Sequence, residues 1–481
     1  MATHGVEQSV TQLILSRFPH KPTDGQREAC ALMAHFLYDA DPRSAFLLRG
    51  YAGTGKTSLV SALIRTLPQL RVSTLLMAPT GRAAKVLSGY SGRQAFTIHK
   101  KIYMTATDAT GQMRTVRAVN KHSYTLFIVD EASMIGLEAT SSRQSLLEDL
   151  IEYVYSGNHC RLMLIGDTAQ LPPVGQSESP ALDSRYLKAS FGLNVIEQEL
   201  TEVVRQQSLS GILSNATALR GQIADLAPTD EAQLPLFATA DDVVNLNGQD
   251  LMEVLNNEYS GDGLEDVVVV TRSNKRANLF NQGIRASVLF REEEVNAGDY
   301  LMVVKNNYFW LDDNSTIGFI ANGDIVEVLS VRHVQELYGF RFADATMRFV
   351  DYPDEQPLDC KIMLSTLYSE SPSLTADEQS RLYTTVMEDY ADLPHKADRL
   401  RELRQNPYYN ALQVKFSYAL TCHKTQGGQW RTVIIDQGFL PPEQRLDREY
   451  LRWLYTAFTR ATGRVYLLGF DERFYSITDN S

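Results

Sequence analysis

The chain has 481 residues, 44% hydrophobic and 22% charged, enough apolar content to bury several cores and too much for a disordered or fibrous protein. Its 46 basic and 58 acidic residues leave a formal charge of −12, the wrong sign for a protein that coats nucleic acid indiscriminately, so any nucleic-acid site has to be a local basic groove. Cys30, Cys160, Cys360 and Cys422 are far apart with no CxxC pair, which excludes a zinc knuckle or disulfide framework, and no apolar run approaches the roughly 18 residues that span a bilayer. A cytoplasmic protein without a membrane partner is expected.

In chain order, the first signal is PTDGQREA, where Thr23 and Gln26 make a T-x-x-Q capping box for a helix over EACALMAHFL. From about Ala45 to Leu200 the short apolar runs AFLLRG, STLLMAP, LFIVDE, RLMLIGD and NVIEQEL alternate with helix-like stretches. This rhythm predicts an α/β fold with a parallel sheet and crossover helices. Lys100 to His122 interrupts it with a polar, partly alternating stretch around DATG, read as an inserted β-hairpin. A second α/β set follows in DVVVVT, QVKFSYAL, TVIID and RVYLLGF. Between its parts, from Asn322 to Asn410, lie IVEVLSV, FRFADATMRFV and KIMLST and then a helix opened by the box Thr375–Glu378, which reads as a small β-barrel-like insertion carrying helices. The expected domains are therefore a first core over residues 1–210 with its hairpin at 100–122, a second core over 211–321 and 411–481, and an insertion at 322–410.

The strongest chemical signal is RGYAGTGKTSLV. Gly50, Gly55, Lys56 and Thr57 satisfy G-x-x-x-x-G-K-[ST] between a strand and a helix, and Gly53, Thr54 and Ser58 complete the candidate phosphate loop. Backbone N–H groups and the helix start can cradle the phosphates of ATP, Lys56 can reach the outer ones, and the Thr57 hydroxyl can bind Mg²⁺. A carboxylate is then needed at the end of a neighbouring strand, and LFIVDEASM offers Asp130 for Mg²⁺ and Glu131 to orient or deprotonate the attacking water. Gln170 in GDTAQLPPVG is the candidate γ-phosphate sensor, and Arg205 in LTEVVRQQ and Arg460 in YTAFTRAT are candidate cationic fingers.

The ordered series GYAGTGKT, APTGRAAKVL, TIHK, VDEASM, GDTAQLPPVG, LTEVVRQ, ALTCHKTQGGQW and YTAFTRAT, spread from Thr23 to Gly469, resembles the RecD-like and Dda-like DNA helicases of superfamily one, in the branch that moves 5′ to 3′. The resemblance implies two RecA-like cores with ATP between them and an ATP-hydrolysing motor in DNA replication, recombination or repair. It implies single-stranded and tailed duplex DNA as partners, and it marks Gln26 as a contact to adenine. For DNA it points to loops on the opposite rim of the same sheets: Pro79, Thr80 and Lys85; Thr97 and His99; and Thr421, His423 and Lys424. It also implies that the Lys100–His122 hairpin is the pin that splits the duplex and that the Asn322–Asn410 insertion is SH3-like.

Two other classes compete. A P-loop switch that remodels protein would lack a nucleic-acid track, and the TIHK and TCHKTQGGQW motifs speak against it. A nuclease would need clustered carboxylates beyond Asp130 and Glu131, and none stands out.

Overall fold

The computed structural model describes residues 2–475 except 108–112, 139–143, 204–209, 228–229, 262, 312–314, 316–318 and 442. Two helices, α1 (Ala2–Leu15) and α2 (Asp24–Tyr38), lead into the first core, and the Thr23–Gln26 capping box opens α2. There follow β1 (Ser44–Gly50), α3 (Lys56–Thr66), β2 (Ser73–Ala78), α4 (Gly81–Ser91), β3 (Ala95–Thr97) and α5 (Ile98–Ile102). The hairpin strands β4 (Tyr103–Thr107) and β5 (Met113–Arg117) come next, then β6 (Thr125–Val129), α6 (Leu146–Ser156), β7 (Arg161–Gly166), α7 (Ser184–Phe191) and β8 (Asn194–Leu200).

Six of these strands form one parallel sheet in the order β3-β2-β6-β7-β1-β8. The strands TLFIV and RLMLIG are near-continuous apolar runs because crossover helices cover both faces of such a sheet. Two apolar clusters, one on each face, hold it: Phe46, Leu48, Ile128 and Met163 on one side, and Leu47, Met77, Phe127 and Leu162 on the other.

The second core begins with α8 (Gly211–Asp225), β9 (Val243–Leu246), α9 (Leu251–Gly261), β10 (Val267–Thr271) and α10 (Asn274–Ser287). The chain then leaves the sheet for β11 (Tyr300–Val303), β12 (Ile325–Leu337), β13 (Phe340–Phe349), β14 (Leu358–Met363), α11 (Ala376–Glu388), α12 (Lys396–Gln405) and β15 (Leu412–Phe416). It returns in β16 (Ala419–Thr421), α13 (Cys422–Thr425), β17 (Trp430–Asp436), α14 (Arg448–Phe458) and β18 (Ala461–Leu468). The second sheet is parallel in the order β16-β10-β17-β18-β9, and β11 to β15 close into a five-stranded barrel. Two RecA-like α/β cores with a barrel inserted in the second are the architecture.

The barrel corrects one boundary. Its strands β11 and β15 lie outside the expected insertion at 322–410, so the barrel runs from Tyr300 to Phe416. QVKFSYAL is accordingly not one core strand: its first half pairs with β11 in the barrel, and only Ala419–Thr421 pairs with β10. The hairpin lies between β3 and β6 as expected, while its DATG tip falls outside the described residues.

Candidate nucleotide site and nucleic-acid face

In a parallel sheet every strand-to-helix loop emerges at the carboxyl edge, and ligands collect where the strand order reverses. Here β1 lies between β7 and β8, and its loop meets those after β6 and β7. Gly53 and Gly55 have φ of 76° and 79°, the left-handed region that glycine tolerates, and Gly55 is the N-cap of α3. A Cβ at Gly50 would lie 3.0 Å from both Lys56 Cγ and Thr54 Oγ1, so a side chain there would crowd the loop. Thr54 Oγ1 donates to the Tyr51 carbonyl (2.8 Å), and the Lys56 ammonium donates to the carbonyls of Gly50 and Tyr51, the latter at 3.0 Å.

The carboxylates arrive on the neighbouring strands. Asp130 Oδ1 accepts from the Glu131 N–H (2.8 Å), and Oδ2 accepts from the Tyr90 hydroxyl (2.6 Å). Glu131 has φ of 53°, an uncommon conformation for a side chain of this size, worth about 1–3 kcal/mol of local strain of the kind that gathers at functional sites. Desolvation, reinforced by the Asp130 charge, raises its carboxyl above the usual range, while Arg460 and Lys56 pull the other way. A carboxylate made more basic in this way is a better proton acceptor at neutral pH.

Gln170 is buried at the end of the β7 loop, and its Oε1 is a buried acceptor with no hydrogen-bond partner among the described residues. Arg460 reaches the same cleft from the second core, its guanidinium donating to the carbonyls of Thr456 (3.1 Å) and Gly428 (3.2 Å) and to Thr459 Oγ1 (3.1 Å). Arg205 lies outside the described residues. Gln26 is nearly fully buried at the cleft; its Oε1 accepts from Thr23 N–H (3.0 Å) and its Nε2 donates to the Thr54 carbonyl (2.9 Å). The glutamine is thus a helix cap and a brace of the phosphate loop, with one amide hydrogen and one lone pair left for a base.

Asp167 and Tyr455 are among the residues here that sequence reasoning missed. Asp167, buried at the end of β7, accepts from the Ala169 N–H (2.9 Å) and stands 4.0 Å from the Lys56 ammonium. Tyr455, from α14 of the second core, donates to Asp167 Oδ2 (2.6 Å) and accepts from the Ala52 N–H of the phosphate loop (2.8 Å). The GD of GDTAQ was a usable signal for Asp167, since it repeats the strand-then-carboxylate pattern of Asp130. Tyr455 gave none, because its partners lie about three to four hundred residues earlier in the chain.

Phosphate loop, carboxylates, Gln170 and Arg460 line one cleft of about 660 Å³, within the range of small-molecule sites, with Phe18, His20 and Lys21 along its margin. The residues fit a nucleotide with Mg²⁺. Thr57 and Asp130 offer hard oxygens, and Mg²⁺ is normally held by one or two such ligands plus phosphate rather than by a protein cage.

The expected DNA residues are at the carboxyl edge too, which corrects their placement on an opposite rim: they are displaced sideways along the strand order, after β2, β3 and β16. Pro79 precedes Thr80, whose hydroxyl caps α4 by accepting from Ala83 N–H (3.2 Å), and Thr97 caps α5 through Lys100 N–H (3.2 Å). Lys85 lies 3.2 Å from Asp351 of the barrel. The His99 ring is 5.5 Å from Tyr103 and 6.4 Å from Phe319, and burial lowers its pKa to about 4, so it serves as a neutral imidazole. Thr421 opens α13, burial lowers the pKa of His423, and Lys424 donates to Asn322 Oδ1 (2.7 Å) with its pKa lowered to about 8 by burial.

These features define a P-loop ATPase with its nucleotide cleft between two RecA-like cores. The AAA domain family matches residues 22–233, and the UvrD-like helicase C-terminal domain family matches residues 416–468. The ATP-dependent RecD2 DNA helicase of Deinococcus radiodurans is 25% identical over 435 residues, covering 88% of this chain and 46% of that protein. The ATP-dependent DNA helicase dda of Enterobacteria phage T4 is 22% identical over 441 residues, covering 87% of this chain and 92% of that one. Among solved structures, Pif1 helicase from Bacteroides in complex with ADP-AlF3 and ssDNA aligns with a TM-score of 0.45 at 14% identity, covering 94% of both chains. In these matches the chain is similar to the RecD-like and Pif1-like helicases of superfamily one. It spans about half the length of the Deinococcus relative and nearly all of the phage one.

Proposed function

We propose that this protein is an ATP-dependent DNA helicase of the cytoplasm, in which single-stranded DNA stimulates ATP hydrolysis and hydrolysis drives 5′-to-3′ unwinding in DNA replication, recombination or repair. The observation that carries it is the two-sided cleft, with Lys56 and Glu131 on one core and Arg460 on the other. Lys56 would leave its loop carbonyls for the β- and γ-phosphates, and Glu131 would take the proton of the attacking water. Gln170 would donate to the γ-phosphate through its amide N–H, and its Oε1, which has no hydrogen-bond partner among the described residues, would hold that water. Arg460 would neutralise charge that develops on the transferred group, so hydrolysis proceeds only when the two cores close. Thr57 and Asp130 would hold Mg²⁺, which would supply charge neutralisation at the phosphates. Because Tyr455 and Arg460 lie on the same short segment of the second core, a change in cleft contents would be felt by both cores at once.

The DNA face is proposed to comprise Pro79, Thr80, Lys85, Thr97 and His99 in the first core and Thr421, His423 and Lys424 in the second. Hydroxyl, imidazole and ammonium donors at loop and helix starts suit phosphate contacts. Two assays test the reading: ATPase activity with and without a single strand, and unwinding of matched duplexes bearing a 5′ or a 3′ tail. Stimulation by DNA and unwinding from the 5′ tail are expected. Absence of stimulation would overturn the helicase reading, and unwinding from the 3′ tail would overturn the polarity.

A further inference from the structure

Helix α4 joins the two halves of the proposed machine. Its first turn is capped by Thr80, an expected DNA contact, and ten residues later Tyr90 lines the nucleotide cleft, about 15 Å away at helical rise. The Tyr90 hydroxyl donates to Asp130 Oδ2 at 2.6 Å, and its backbone carbonyl accepts from Ser61 Oγ of the phosphate-loop helix at 3.1 Å. Its ring packs against the apolar cluster of Phe46, Leu59 and Ile128, so the hydroxyl is held by a fixed side chain and not by a loose surface rotor. None of the sequence motifs singled out a role for it.

An aspartate carboxyl turns easily about its last torsion, and a metal site needs its plane fixed. The Glu131 N–H bonds one oxygen of Asp130 and the Tyr90 hydroxyl the other, which fixes that plane and leaves each oxygen a second acceptor position. We propose that Tyr90 is a positioning residue for Asp130: from α4 it sets the carboxylate for Mg²⁺–nucleotide. The inference rests on the proposed role of Asp130 as the metal carboxylate.

The test is a Mg²⁺ titration of binding of a fluorescent methylanthraniloyl-ADP to the full chain, in the parent, Tyr90→Phe, Asp130→Asn and the double variant, with melting temperatures measured alongside. Phe keeps the ring and its packing and removes only the hydroxyl. Tyr90→Phe is expected to need about tenfold more Mg²⁺ for half-saturation, the lower end of what loss of an orienting partner costs, while Mg²⁺-free nucleotide binding stays at the parental level. On the Asp130→Asn background the same substitution should change nothing further. A Mg²⁺ midpoint within about twofold of the parent, or an equal effect with Asn at position 130, would overturn the proposal. The readout uses no DNA, so failure of single strands to stimulate the parent's ATPase would sink the helicase reading and leave this one standing. A parent whose nucleotide binding ignored Mg²⁺ would sink the metal assignment and the Tyr90 proposal with it.

Discussion

Glu131 combines a left-handed backbone, a desolvated carboxyl and an arginine from the opposite core, and each feature points to a group kept for chemistry. Glu131→Gln preserves its shape and removes the charge that accepts a proton. Nucleotide affinity should hold, and DNA-stimulated turnover should fall by about 10²–10⁴-fold, the usual contribution of a positioned base. A loss of nucleotide affinity with turnover retained would make it a structural residue.

Asp324 of the barrel loop gives a second residue-scale prediction. Its Oδ2 accepts from Ala321 N–H (2.7 Å), its Oδ1 is buried without a partner, and Asp351 and the Tyr352 hydroxyl are nearby. A Cβ at Gly81, the first residue of α4, would come within 2.4 Å of Oδ1, so only glycine admits this contact. Burial first, then the Asp351 charge, raise its pKa to about 7. The folded chain thus keeps a proton that the unfolded chain releases from about pH 4 upward, so stability falls as pH rises from about 4 to about 7 and is then flat. Asp324→Asn cannot ionise. It should melt above the parent at pH 8, by roughly 2–4 kcal/mol of stability, with the gap closing toward pH 4. Equal melting at both ends would show that this carboxyl is solvated in the folded chain.

At the scale of elements, the hairpin is set on a firm base. Tyr103 and Arg117 are directly paired across β4 and β5, and both reach Asp149 of α6, the tyrosine hydroxyl at 2.6 Å and the guanidinium at 3.0 Å, while Arg117 also bonds Glu152. Splitting a base-pair step costs about 1–2 kcal/mol of stacking, which a motor can impose only through a rigid wedge. Replacing residues 105–115 with a two-residue glycine turn, leaving Tyr103 and Arg117 in place, should leave DNA-stimulated ATPase near the parental rate and abolish unwinding of a tailed duplex. Unwinding at the parental rate would move strand separation to the barrel. The hairpin was legible because alternation around a turn is a local signal. Membership of β11 and β15 in the barrel was not, since YLMV and LQVKF are short apolar runs that periodicity cannot tell from core strands, and barrel closure pairs residues more than a hundred positions apart.

For the whole molecule, the charge of −12 means that DNA has to be held by few cations, and the structure already spends some of them: Lys85 faces Asp351, Lys424 bonds Asn322, and Lys101 lies over the Phe96 ring at 3.6 Å. Each phosphate neutralised on a single strand contributes a slope of about −0.7 in log affinity against log salt, so about three contacts predict a slope near −2. A slope near zero in a salt series with a short single strand would mean that stacking alone holds the strand or that DNA is not the ligand.

The sequence by itself determined the two α/β cores and the phosphate loop with its Asp130–Glu131 strand end. It also showed the capping boxes at Thr23 and Thr375 and the hairpin, because each is written within a dozen residues as spacing, strand length or turn chemistry. Tertiary structure alone decided which edge the proposed DNA loops occupy and which short strands close the barrel. It also decided that Tyr455 bridges Ala52 to Asp167, that Tyr90 holds Asp130, and that Asp324 faces Gly81. The reason is physical: a hydrogen bond or a buried carboxyl between residues tens to hundreds of positions apart leaves no periodicity in the chain, and it exists only once packing has brought the groups together and removed the water between them.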